Sequence, residues 1–135
     1  MDRYTIDAVA ALRYLVDVLP SGADRVFERA EAGTALLQIP PIALAETLYI
    51  VEHKTKLTGR PLEHDPGAAR EKLVTTGPVT VVEFGNADVT ALLELLDSLT
   101  LHDAMIVASH RTQDTEAVIT SDGEIATCGV ETVWE

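Results

Sequence analysis

The sequence has few of the features that build cross-linked or membrane-spanning proteins. Its single cysteine, Cys128, excludes an internal disulfide and any zinc site built on cysteines. Its longest run without a charged residue, residues 32–45, has 14 residues and contains Pro40 and Pro41, whereas a membrane-spanning helix needs about 18 or more apolar residues. Residues 1–3 lack the basic stretch that begins a secretory signal. We therefore expect a soluble, cytoplasmic protein.

Positive charge is also scarce. The 10 lysines and arginines, of which only Lys54, Lys56 and Lys72 are lysines, face 22 acids, so the net charge is −12. A protein that coats nucleic acid non-specifically or binds an anionic membrane should carry the opposite sign. Two compatible interpretations of the acids remain. They form a solvated surface, as in a halophile's protein, or some of them are concentrated at a metal site.

Length and hydrophobic pattern predict the fold class. With 135 residues, 47% of them hydrophobic, residues 1–135 are expected to form one domain with its own core. Strands are predicted at 4–6, 35–39, 79–84, 117–121 and 130–134, and helices at 8–19, 23–32, 41–57, 68–75, 87–99 and 100–113. This alternation predicts a three-layer α/β/α fold with a mainly parallel sheet. The strands at Tyr4, Leu37 and Val118 should be neighbours or nearly so.

Two acids follow predicted strands, and the carboxyl ends of strands are where open α/β sheets bind ligands. Asp7 follows the first strand and precedes a helix, so it is also suited to capping that helix. Asp122 follows the strand at 117–121, where Thr120 and Ser121 could orient a carboxylate, and Asp122-Gly123 is also an ordinary turn sequence. Both interpretations of each acid stay open.

Two further acids fall on apolar helix stripes. Glu46 lies between Ile42 and Ile50 on the stripe of its helix, so it needs a partner, either a buried salt bridge or a metal. Asp103 shares a stripe with Ile106, but it also fits a capping box with Thr100.

Taken together, the four acids predict a metal site, which none of them predicts alone. Asp7, Glu46, Asp103 and Asp122 can converge on one edge of a parallel sheet, where they repel one another unless protons or cations intervene. Mg²⁺ and Mn²⁺ are the cations that such carboxylates prefer. These ions activate water for phosphodiester hydrolysis.

The same residues carry a family resemblance that covers nearly the whole chain. Ile6-Asp7, then residues 45–49 (AETLY), 102–108 (HDAMIVA) and 119–122 (ITSD) resemble the PIN domain, most of all the ribonuclease toxins of VapBC-type toxin–antitoxin pairs. The resemblance implies an Mg²⁺- or Mn²⁺-dependent endoribonuclease, a homodimer, and a small antitoxin that blocks the site. The metal-binding acids that it implies are Asp7, Glu46, Asp103 and Asp122, with Thr120 supporting them.

This sequence departs from the family pattern at two positions. Val9 stands where family members usually have a small polar residue, which removes a hydrogen-bonding support for Asp7. Ile125 is nearest to the place where they often have phenylalanine.

Other features have weaker implications. The four histidines, His53, His64, His102 and His110, show no metal-ligand spacing and are predicted to be structural or surface residues. The basic cluster Lys54, Lys56 and Arg60 either contacts a phosphate beside the acids or is a solvated helix end. The helix 87–99 carries a stripe of Leu92, Leu95, Leu96 and Leu99, with Leu93 off the stripe. This apolar surplus predicts a second contact surface and hence a homodimer.

Two alternatives to the nuclease interpretation remain. A receiver-like signalling domain has the same fold class and clustered acids, but it places a lysine after a late strand, and no lysine follows Lys72. A catalytically degenerate PIN domain that only binds partners is the second alternative.

Overall fold

A five-stranded parallel sheet lies at the centre of the computed structural model, which describes residues 1–135. The strands are β1 (Asp2–Ile6), β2 (Ala35–Ile39), β5 (Val79–Val81), β6 (Ala117–Ile119) and β7 (Thr132–Val133), in the order β5-β2-β1-β6-β7. Tyr4 is in register with Leu37 on one side and with Ala117 on the other. The predicted neighbours are therefore confirmed, with β1 between β2 and β6.

Helices flank the sheet, which confirms the predicted α/β architecture. They are α1 (Ala8–Leu15), α2 (Ser21–Glu31), α3 (Pro41–His53), α4 (Pro66–Arg70, continuing as a π-helical turn over Glu71–Thr75), α5 (Asn86–Leu93), α6 (Leu101–Gln113) and α7 (Gly123–Thr127). Residues of the helices and of the strands form one hydrophobic core. Its almost fully buried members include Phe27, Ile6, Leu37 and Ile119. None of the helices combines the length and hydrophobicity that a bilayer crossing requires.

Two helices end four residues earlier than the sequence pattern predicts. α1 stops at Leu15, and Asp17 then adopts a left-handed conformation with φ 60°. α3 stops at His53 because the chain becomes extended at Lys54. Beyond Lys54 the chain forms a short antiparallel hairpin of β3 (Lys56–Leu57) and β4 (Arg60–Pro61), which the sequence pattern does not predict. In both cases turn geometry ends a helix that hydrophobic periodicity alone would continue.

The leucine-rich segment is also shorter than predicted. α5 ends at Leu93, and the next residues form tighter turns, in which the N–H of Leu95 donates to the carbonyl of Leu92. Within the predicted stripe, Leu95 and Leu99 are buried, but Leu96 is 48% exposed. Leu93, which was predicted to lie off the stripe, is 68% exposed.

An apolar surface therefore remains beside the core, and it shares only Leu96 with the predicted stripe. The exposed residues that form it, here called the α5 apolar surface, are Val89, Leu93, Leu96 and Leu101.

The remaining differences are near the ends of β5 and β6. The strand predicted at 79–84 stops at Val81, although the N–H of Val82 still donates to the carbonyl of Ile39. After β6, the short helix α7 begins directly behind Asp122, where the sequence predicted only a turn. This helix matters for the site because it adds a carboxylate to the end of β6.

Candidate metal centre

All four acids singled out in the sequence line one cleft of about 370 Å³. The cleft lies at the carboxyl ends of β1 and β6, which are adjacent and parallel. Asp7 and Asp122 come from the segments that follow these strands, Glu46 comes from α3, and Asp103 comes from the first turn of α6. The predicted convergence therefore follows from strand order, since neighbouring parallel strands end at the same edge.

Asp7 caps a helix and also faces the cleft. One of its carboxylate oxygens accepts a hydrogen bond of 2.9 Å from the N–H of Ala10, which makes it the N-cap of α1. The other oxygen accepts from the hydroxyl of Thr120. Burial raises the pKa of Asp7; the two hydrogen bonds oppose that rise, and the charges of Asp122 and Glu46 add to it. Capping and a place in the acidic cluster are therefore compatible.

Thr120 links two of the site acids. Its buried hydroxyl donates to Asp7 and accepts a 3.0 Å hydrogen bond from the N–H of Asp122. Val9, in contrast, makes no polar contact with Asp7 and is 40% exposed at the cleft. Thr120 therefore supplies a hydrogen bond to Asp7 although position 9 has no polar side chain.

We expect Thr120→Val to lower any metal-dependent cleavage about 10- to 100-fold, as is typical when a group that orients a metal ligand is lost. We also expect a loss of about 1–3 kcal/mol in the free energy of unfolding, because the variant leaves one oxygen of the Asp7 carboxylate without its donor, although the N–H of Ala10 still binds the other. Thr120→Ser, which keeps the hydroxyl, should restore most of the activity. Equal activity of the Val and Ser variants would contradict a positioning role.

Three carboxylates come closest together, and one of them was not predicted. Asp103, Asp122 and Glu124 each offer an oxygen within 4.8 Å of the others, and we call them the three-carboxylate cluster. Glu124 lies in the first turn of α7, and its N–H donates to a carboxylate oxygen of Asp122 at 2.8 Å. The only signal in the sequence is an acid two residues after Asp122. Its significance depends on α7, which the pattern did not reveal.

The ionisation of Asp103 reflects this crowding. Burial, followed by a hydrogen bond to Asp122 and the charge of Asp122, raises the pKa of Asp103 to about 6. The predicted capping box is wrong, because the side chain of Thr100 makes no capping hydrogen bond to the helix. Asp103 therefore interacts chiefly with Asp122, and its side-chain hydrogen bond with Thr100, which lowers the pKa, does not complete a cap.

The pKa of Asp103 predicts how the metal-free protein responds to pH. The folded state holds its proton up to about pH 6, whereas an unfolded Asp loses it near about pH 3.9. The folded state therefore binds more protons between these values, and this contribution to stability is lost as the pH rises through about 6.

We expect the melting temperature of Asp103→Asn in EDTA, relative to the original protein, to rise between about pH 4 and pH 7. The change should correspond to about 1 kcal/mol after solvent screening of this partly exposed group, or roughly 3 °C. Thermal melts of both proteins across this range measure the difference. A constant difference would show that Asp103 titrates alike in the folded and unfolded states.

Glu46 of α3 and His102 of α6 contact each other at the cleft. Glu46 was expected on a buried stripe, but its side chain is 38% exposed, and Nδ1 of His102 lies 3.3 Å from its Oε2. Both residues line the cleft. His102 is a surface residue, as predicted, and its ring also contacts Glu46 from a different helix.

The other histidines fit the prediction made for them. Nδ1 of His110 hydrogen-bonds the hydroxyl of Thr115 at 2.6 Å, in a half-buried position. His53 is exposed on α3, and His64 lines a different groove.

The donor set fits a hard divalent cation. The three-carboxylate cluster offers only oxygen atoms, and a fourth acid, Asp7, lies close enough to contribute to the pKa shift of Asp103. Oxygen ligands suit Mg²⁺ and Mn²⁺, which keep several waters and need few carboxylates. The arrangement can therefore hold such an ion and relieve the repulsion between these acids.

Comparisons with known proteins agree with the fold. A family model described as PIN domain matches residues 4–129. The crystal structure of Mycobacterium tuberculosis VapC20, a toxin that cleaves the sarcin-ricin loop, aligns with a TM-score of 0.67 and 18% identity, covering 98% of this chain and 99% of that chain. VapBC2 from Rickettsia felis, bound to a DNA fragment from its promoter, aligns with a TM-score of 0.68 and 15% identity, covering 97% and 98%. No curated protein matches the sequence significantly. The family match excludes the receiver-like alternative.

Proposed function

This chain belongs to the PIN domain family, and on that basis we propose that it is an Mg²⁺- or Mn²⁺-dependent endoribonuclease, the toxin of a toxin–antitoxin pair that acts in the cytoplasm. The observation that carries the proposal is the three-carboxylate cluster, which shares a cleft with Asp7 and Glu46. Its substrate is RNA, and the reaction is hydrolysis of a phosphodiester bond.

The residues of the proposed site have different roles. Asp103, Asp122 and Glu124 would hold the ion, and Asp7, fixed by Thr120 and Ala10, would complete the ring of acids. When bound, the ion lowers the pKa of a water molecule and offsets the charge that develops on the phosphate. Glu46 lines the same cleft, in contact with His102. Without a cation the acids repel the phosphate as well as one another, so RNA should bind productively only after the ion.

The first test is cleavage of mixed single-stranded RNAs with Mn²⁺, with Mg²⁺ and with EDTA. We expect cleavage with either ion and none with EDTA. A degenerate PIN domain would bind partners or RNA without cutting under any of these conditions. Parallel reactions on single-stranded DNA of the same sequences show whether the site requires a ribose.

We propose that a small antitoxin protein blocks the same cleft, since the toxin–antitoxin assignment requires an inhibitor. The Rickettsia felis structure of similar fold is a VapBC pair, and the acidic cleft favours a partner segment that carries a positive charge. A bound antitoxin should abolish both the cleavage and the stabilisation by Mn²⁺, because it competes for the same carboxylates.

We also propose that the protein is a homodimer and that the α5 apolar surface forms the contact. Exposed Leu93 and Leu96 are costly to leave in water, and burial gains about 25 cal/mol per Å². Light scattering at micromolar concentration should give a dimer, and Leu93→Ser should shift it toward monomer. A monomer at every salt concentration would contradict the dimer.

A further inference from the structure

One exposed surface of α3 leads directly away from the proposed metal centre. The first half of the helix lines the cleft through Ile42, Ala43 and Glu46, and the helix ends at His53. At 100° and 1.5 Å per residue, Tyr49 lies about 60° around the helix from Glu46 and about 4.5 Å along its axis. His53 lies about 20° around and about 10.5 Å along. The two rings therefore continue the line that begins at Glu46.

Tyr49 and His53 form a flat, solvent-exposed pair. Tyr49 is 64% exposed, and its ring stacks on that of His53 with centroids 4.1 Å apart and planes 24° from parallel. Nδ1–H of His53 donates to the carbonyl oxygen of Tyr49 at 2.9 Å, which holds the imidazole in this orientation. An exposed, pre-oriented ring is suited to stacking with an unpaired base, which is worth about 1–3 kcal/mol per base.

Two of the three lysines in the chain follow this pair. Lys54 and Lys56 are exposed immediately after the end of α3, in a protein of net charge −12. Arg60, the third member of the basic cluster, lies opposite Leu57 in the hairpin and lines a separate groove with Lys72. Since side chains alternate along a strand, Arg60 lies on the other face of the hairpin from Lys56. The positive charge beside α3 is therefore limited to two lysines.

We propose that this surface, the α3 track (Tyr49, His53, Lys54 and Lys56), binds single-stranded RNA on one side of the bond to be cut. Tyr49 stacks on a base, and the two lysines pair with phosphates. The inference rests on the proposed function and adds to it the surface that holds the RNA strand. Bases in a duplex are already stacked on their neighbours, whereas bases in loops and single strands can turn out to meet an aromatic ring.

Binding is measured by fluorescence anisotropy with a labelled, mixed-sequence single-stranded RNA of about 10 nucleotides, within the site size of single-strand binders. Asp103→Asn serves as the background so that the RNA stays intact, and Mg²⁺ is present in every measurement to offset the charge of the remaining acids. Adding Tyr49→Ala should raise the Kd about 5- to 150-fold, the equivalent of one lost stacking contact. Tyr49→Phe keeps the ring and should bind as the background does. A duplex RNA of the same sequence should bind the Ala and Phe variants equally.

The lysines are tested by the salt dependence of the same binding. Replacing Lys54 and Lys56 by Gln should reduce the slope of log Kd against log salt concentration by about 1.4, since each phosphate contact with a single strand contributes about 0.7. Arg25→Gln, an exposed charge on α2 outside the cleft, is the control and should leave the slope unchanged.

The outcomes separate this inference from the proposed function. If the original protein cleaves RNA but Tyr49→Ala binds as tightly as Tyr49→Phe, the α3 track is wrong and the nuclease assignment stands. If the original protein neither binds nor cleaves RNA, both are wrong. If Tyr49→Ala changes the molecular mass in light scattering without changing the Kd for RNA, the surface is a contact between copies of the chain, and the track is overturned.

Discussion

Asp103→Asn should reduce metal-dependent RNA cleavage about 10²- to 10⁴-fold while it raises the melting temperature of the metal-free protein. Loss of one ligand weakens the binding of an ion that supplies several kcal/mol of transition-state stabilisation. Each 1.36 kcal/mol lost corresponds to a tenfold lower rate. The metal-free variant should be more stable because burial and the charge of Asp122 disfavour the ionised form of Asp103, and Asn carries no charge. Near neutral pH the gain should be about 1 kcal/mol, allowing for solvent screening.

Thermal melts in EDTA and in Mn²⁺, with a cleavage assay alongside, measure both effects. Mn²⁺ should stabilise the original protein by mass action on its folded state and should stabilise the variant less. Asp97→Asn removes the same charge from an exposed position and should change neither cleavage nor the response to Mn²⁺. If Asp103 only interacted with the helix dipole, Asn would instead lower the stability by about 0.3–1 kcal/mol. A destabilised variant that still cuts RNA would remove Asp103 from the site.

Gly77→Ala should destabilise the fold by about 3 kcal/mol, the upper end of overpacking effects, and lower the melting temperature by about 10 °C. Gly77 follows the π-helical turn of α4 and packs directly on it. A Cβ here would lie 1.9 Å from the carbonyl oxygen of Lys72 and 2.4 Å from that of Leu73. These atoms belong to the backbone, so no change of rotamer can relieve the overlap.

Gly67→Ala is the matched control for this prediction. Its Cβ would meet only a side-chain oxygen of Asp65 at 3.4 Å, and it is the second residue of α4, where Ala is favoured over Gly by at most about 0.8–1 kcal/mol. The two variants should therefore shift the melting temperature in opposite directions. Because Gly77 is not among the residues of the metal cleft, the folded Gly77→Ala variant should keep its stabilisation by Mn²⁺. Equal melting temperatures would mean that the turn adjusts without cost.

Local patterns in the sequence were enough to predict the parallel α/β fold and the meeting of four acids. Alternation of short β-branched runs with amphipathic helices implies parallel strands, and parallel strands end at one edge of the sheet. Asp7 directly follows β1 and Asp122 lies three residues after the end of β6, so their proximity depends on chain order more than on packing. The metal-binding roles of the four acids and the single-domain organisation stay predictions.

Tertiary structure decided the features that depend on where a helix ends and on what packs beside it. Glu124 joins Asp103 and Asp122 only because α7 begins directly after Asp122. His102 reaches Glu46 from a different helix, a contact that no spacing along one helix can reveal. Tyr49 and His53 share the stripe of Glu46 in the sequence, but only the packing of α3 shows that their rings face solvent. Periodicity reports which residues share a face of a helix, and only contacts between elements determine whether that face is buried, lines a site or stays free to bind.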